Sequence, residues 1–68
     1  MSVVAANVRR IIDEKGYKHS AVARRAHMKP QSLSDMLNGR KLIRAEHIPL
    51  LAKALDAEPN DLFQSPEK

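Results

Sequence analysis

The segment from His19 to Gly39, HSAVARRAHMKPQSLSDMLNG, constrains this chain more than any other. Val22 and Ala23 in its first half, and Leu33, Met36 and Leu37 in its second, fall at helical spacing. Ala26-His27-Met28-Lys29-Pro30 separates the halves. Pro30 suits the first position of a helix, where a missing N–H leaves no bond unmade. Two short helices joined by a tight turn follow, from about His19 to Ala26 and from about Pro30 to Leu37. Gln31, Ser32, Ser34 and Asp35 come directly after Pro30, so the second helix opens with an exposed polar turn.

The rest of the chain reads as three more helices and no strand. One runs from Ser2 or Ala5 to Lys15, burying Val4, Val8, Ile11 and Ile12, and Gly16 stops it. Past Gly39 the chain forms a basic loop, Arg40 to Arg44. A turn at Ala45 to Ile48 leads into a helix from Pro49 to Leu55, with Pro49 starting or kinking it. A last short helix spans Pro59 to Phe63, and Gln64 to Lys68 should fray. The expected core is Val8, Ile11, Ile12, Val22, Ala23, Ala26, Leu33, Met36, Leu37, Ile48, Leu51, Ala52, Leu55, Leu62 and Phe63. Sixty-eight residues allow one domain, 1–68, with its core in about 5–63.

Several function classes drop out. Without cysteine there is neither a disulfide nor a thiolate metal site. His19, His27 and His47 are not at zinc-ligand spacing. No glycine-rich phosphate loop occurs, and so small a chain suggests no walled pocket. No catalytic residue, metal or cofactor is therefore expected, and the chain is not expected to be an enzyme. Its apolar runs are too short for a membrane span, and its start lacks the pattern of a secretory signal. A cytoplasmic protein is expected. Charge is divided unevenly: residues 1–44 carry ten Lys/Arg against three acids, or +7, and residues 45–68 carry two against five, or −3. A polyanion at the motif half is the natural partner, although basic residues also simply solvate small domains.

The same residues resemble the helix-turn-helix of the phage-repressor and Cro family. That family typically reads Gln, Leu-Ala, Gly-Val-Ser, Ser or Thr followed by Ile, and closes on Asn-Gly. This chain has His19, Val22-Ala23, His27-Met28-Lys29, Ser32-Leu33 and Asn38-Gly39. Asn7 to Ile11 with Glu14-Lys15-Gly16 is similar to the family's first helix, and Leu51 to Leu55 and Asp61-Leu62-Phe63 to its last two. The resemblance covers roughly residues 5 to 63. It implies an all-α, compact five-helix lambda-repressor-like domain whose second and third helices form the motif. Many members carry Arg at the position of Ile12 and Glu at that of Leu37, paired across the first and third helices. Here both are apolar, so Ile12 and Leu37 should touch.

The resemblance implies a double-stranded DNA interface. Gln31 can meet the N6/N7 edge of adenine. Ser32 suits a phosphate or base edge, but short hydroxyls at a helix start also serve the backbone. Asp35 shares a face with Gln31; it can accept from cytosine N4, or pair with Lys29 or Arg40. Lys29 stands beside Pro30 where the family prefers a Ser/Thr cap, and adds charge to the positive end of the helix dipole. His19 replaces the family's Gln at a phosphate-contacting helix start. Asn38, Arg40, Lys41 and Arg44 form a second phosphate clamp. His27 replaces the turn glycine, at a position that often needs a left-handed backbone.

The expected function is a sequence-specific double-stranded DNA-binding transcriptional regulator, a Cro-like repressor binding its operator as a homodimer through the third helix in the major groove. Interface candidates are Ile43, His47, Leu50, Ala57, Pro59 and Phe63. Leu50 is singled out because Leu51 and Leu55 already face the core. Two rivals remain: an antitoxin-type DNA-binding protein with a toxin partner, and a protein-interaction module without DNA binding.

Overall fold

The computed structural model describes residues 2–64. Four α-helices, α1 (Val3–Lys15), α2 (His19–Arg25), α3 (Pro30–Leu37) and α4 (His47–Ala54), are followed by a 3₁₀ turn (Pro59–Phe63). No strand occurs among the described residues. α1 packs on α3 and the 3₁₀ turn, and α4 on α2 and the 3₁₀ turn. One aliphatic cluster joins them, including Val8, Ile12, Val22, Leu33, Leu37, Leu51, Leu55 and Leu62. Ile12 and Leu37 both lie buried in it, as the apolar swap required.

Every α-helix stops by the same device. The first residue after α1, and the second after α2, α3 and α4, adopts a left-handed backbone: Gly16, His27, Gly39 and Asp56 (φ 69°, 60°, 81° and 56°). Its N–H and that of the next residue turn back onto the last-turn carbonyls. Thus Tyr17 N–H reaches Ile12 O at 3.1 Å, Met28 N–H reaches Ala23 O at 2.9 Å, Arg40 N–H reaches Asp35 O at 2.8 Å and Ala57 N–H reaches Ala52 O at 2.9 Å. This is the Schellman arrangement. Tyr17, Met28 and Ala57 then pack against the core. The joint between α2 and α3 is therefore an ordinary helix stop whose left-handed residue is a histidine. A left-handed L-residue costs about 1–2 kcal/mol, while glycine's extra freedom in the unfolded chain offsets about 0.4–1. His27→Gly should stabilise the domain by up to about 1 kcal/mol, read as a raised urea midpoint at unchanged m-value. A lowered midpoint would contradict this account of the turn.

Four expectations need correction. The fifth helix is a 3₁₀ turn with the expected bounds. Five residues opened by Pro59 are too few to repay α-helix nucleation, and the segment closes instead with an i→i−3 bond, Asp61 N–H to Glu58 O at 2.9 Å. α4 begins at His47, two residues before Pro49. First-turn N–H groups have no intrahelical partner, so a proline is accepted in the third position. His47 also fixes the entry, its Nδ1 accepting the Arg44 N–H at 3.0 Å. Phe63 is 57% exposed instead of core. Leu62 fills the inward site of the 3₁₀ turn, and an adjacent residue points elsewhere. Ile48 is half-buried, whereas Ala5, Ala54 and Asn7 join the buried set. The expected fraying of Gln64 to Lys68 concerns residues 65–68, outside the described part, apart from Gln64.

Candidate nucleic-acid interface

α3 presents two different sides. Leu33, Met36 and Leu37 are buried. At 3.6 residues per turn, Gln31 and Asp35 fall on roughly the opposite side of the helix. The structure joins them, Gln31 Nε2 donating to Asp35 Oδ1 at 2.9 Å. Gln31 is exposed and Asp35 half-exposed. Lys29 occupies the N-cap and makes no side-chain cap bond, with Pro30 at the first helical position. No side chain from the cap thus screens the positive end of the helix, where backbone N–H groups favour anions.

The basic loop is tied to α3 by backbone and side chain. The N–H groups of Arg40 and Lys41 both donate to Asp35 O, at 2.8 and 3.2 Å. Lys41 Nζ lies 3.4 Å from Ser32 Oγ, and Asn38 Nδ2 donates to Ser34 Oγ at 3.4 Å. Ser32 and Lys41 therefore flank the Gln31–Asp35 pair on one side, and Ser34 and Asn38 on the other. Arg40, Lys41 and Arg44 are exposed. His19 is exposed at the first position of α2, whose N-cap, Lys18, also makes no side-chain cap bond. α2 and α3 pack together, so His19 and Lys29 open the two helices of one unit.

One basic residue absent from the sequence-derived set joins this region. Arg9 Nη1 donates to Leu37 O at 3.4 Å, reaching the C-terminal end of α3 across 28 positions of sequence. The signal was present: once Ile12 is placed against Leu37, the residue one helical turn earlier falls alongside. Arg9 adds a cation at the C-terminal end of α3.

The six residues expected between protomers have mixed settings. Pro59 and Phe63 are exposed, while Ile43, His47, Leu50 and Ala57 are half-buried. Leu50 is not free of the core as expected. It packs against the cluster and lines a shallow groove with Arg25, His27, Lys53 and Ala54. Leu51, Ala52 and Ala54 form the buried stripe of α4, and Leu50, one turn before Ala54, lies at its edge. Val3 and Leu42, 45% and 76% exposed, are the other large apolar side chains left in solvent among the described residues.

Among the described residues no helix is long and apolar enough to cross a membrane, and no cluster of three or more His, Asp or Glu gathers as a metal site. A family model described as helix-turn-helix matches residues 8–62. No curated protein sequence matches the chain. Among solved structures, the hypothetical transcription factor NHTF from Neisseria superposes with a TM-score of 0.86 at 26% identity, covering 96% of this chain and 75% of that one. The clp gene regulator ClgR from C. glutamicum gives 0.82 at 27% identity, covering 88% and 78%. The restriction-modification controller protein C.AhdI from Aeromonas hydrophila gives 0.83 at 24% identity, covering 90% and 92%, a likeness of fold. The chain belongs to the Cro/C1-type helix-turn-helix family, and with it to the DNA-binding transcription regulators, which are generally not enzymes.

Proposed function

We propose that this helix-turn-helix protein is a sequence-specific repressor that occupies a double-stranded operator as a two-fold dimer, acting in the cytoplasm at the nucleoid. The observation that carries the reading is the outward side of α3, where Gln31 and Asp35 stand opposite the buried stripe with cations on the adjoining loop. α3 enters the major groove, α2 crosses the backbone, and the loop after Gly39 grips the flanking phosphates. Gln31 reads a base. His19, Lys29, Asn38, Arg40, Lys41 and Arg44, joined by Arg9, hold phosphates, and Ser32 supports them beside Pro30. One copy of α3 spans only a few base pairs. Two copies on one DNA face, about 34 Å apart, supply the remaining affinity.

Binding measured over a range of salt concentrations tests this. Gln31→Ala should lose about 1–3 kcal/mol on the preferred site and relax one base position. Lys41→Ala should weaken all sequences alike and flatten the salt slope by about 1. Loss confined to one sequence would remove Lys41 from the phosphate clamp.

The dimer is expected to use the C-terminal half, where Pro59 and Phe63 remain exposed beside half-buried Ile43, His47, Leu50 and Ala57. Phe63→Glu should reduce operator occupancy by abolishing the second copy, seen by sedimentation of the DNA complex. Two copies still bound with parental affinity would place the contact elsewhere.

A further inference from the structure

The bond between Gln31 and Asp35 makes the two side chains one surface. It uses one N–H of the carboxamide and leaves the other, with Oε1, for the N7/N6 edge of adenine. It occupies Oδ1 of the carboxylate and leaves Oδ2 to accept from another donor. An ionised carboxylate has no proton to donate. The group beside it in the groove must therefore be a donor. Cytosine offers N4 and adenine N6, whereas guanine and thymine present the acceptors O6 and O4. Asp35 is also an anion among cations. Arg40, Lys41 and Lys29 favour the phosphates that its charge opposes, so on unrelated duplex it weakens binding without any compensating contact.

Resting on the function proposed above, we propose that Asp35 determines specificity as part of a two-residue reading unit with Gln31. The carboxylate admits an amino-bearing base, cytosine or adenine, next to the base read by Gln31, and rejects a keto-bearing one. The Gln31 bond holds the carboxylate at the base edge and away from the lysine and arginine side chains of the loop.

The test selects duplexes from a randomised pool with the parent, Asp35→Ala, Asp35→Asn and Gln31→Ala, each checked for parental helix content by circular dichroism. The parent should yield an adenine position beside one restricted to cytosine or adenine. The keto bases there should bind roughly 5- to 150-fold more weakly. Asp35→Ala should open that position to all four bases, keep the adenine, and bind unrelated duplex more tightly than the parent. Asp35→Asn, whose amide can donate to O6 or O4, should admit guanine and thymine. Gln31→Ala should lose the adenine and, with the carboxylate no longer held at the base edge, relax the restriction at the neighbour. A parent site without such a position, one with guanine or thymine there, or an Asp35→Ala profile identical to the parent's overturns the proposal while leaving DNA binding in place. In that case the pair merely braces α3. A folded parent that shows no salt-dependent DNA binding overturns the function as well, and is recognised by that.

Discussion

Ile12→Arg is expected to unfold this domain under conditions in which the parent is fully folded. Ile12 is 2% exposed and Leu37 1%, within one cluster. A guanidinium there has no acidic partner in the core, and an unpaired buried charge costs about 3–5 kcal/mol. A chain of this length has roughly 3–10 kcal/mol in total. The double variant Ile12→Arg/Leu37→Glu should recover part of the loss, because it restores the pair that many family members carry across α1 and α3. Thermal unfolding of the three proteins measures both effects. A single variant as stable as the parent would show that Ile12 is not enclosed by α3. A double variant no better than the single would show that the two positions do not meet closely enough to pair.

Asn7→Ala is expected to release the C-terminal segment. Asn7 is 3% exposed, the buried polar side chain of the core. Its Nδ2 donates to Leu62 O and to Gln64 O, each at 2.9 Å, and its Oδ1 accepts from Arg10 Nη2 at 3.3 Å. The amide thus serves carbonyls of an irregular segment that has no sheet or α-helix to satisfy them. Removing it strands a buried acceptor at Leu62, for a loss of about 1–3 kcal/mol. The loss should begin locally, with faster amide exchange in residues 60–63 before that in α2 and α3. Asn7→Leu should fail in the same way, since added apolar volume supplies no donor. Equal exchange throughout, with unchanged stability, would show that Leu62 alone secures the segment.

The four α-helices and the joint between α2 and α3 were legible because their causes are local. Apolar spacing, Pro30 and the two glycines each act within one or two turns of chain. His27 could be placed in the turn for the same reason, and its φ of 60° follows from the helix stop it occupies. The exposure of the proposed reading residues was equally local, being the complement of the buried stripe on α3. Local rules misplaced the start of α4, because they treat a proline as a beginning when a first turn accepts one anywhere. They also made an α-helix of Pro59–Phe63 and a core residue of Phe63, where turn geometry leaves one inward place and Leu62 takes it.

Other features depend on which distant groups meet, and the chain by itself does not state that. Asn7 reads as a surface asparagine until the fold brings Leu62 and Gln64 over it. Arg9 reads as one charge on an exposed helix until α3 ends beside it. Leu50 reads as free until α2 closes over α4 and leaves it on the wall of a groove with Arg25. The bond from Gln31 to Asp35 lies between: four residues apart, the two were bound to share a face, but a carboxylate among so many cations could have paired with Lys29 or Arg40. In the folded chain the backbone of Arg40 and Lys41 turns back onto the Asp35 carbonyl, the Lys41 side chain goes to Ser32, and the carboxylate takes Gln31. Periodicity fixes which side of a helix is wet; only packing fixes which neighbours are within reach of it.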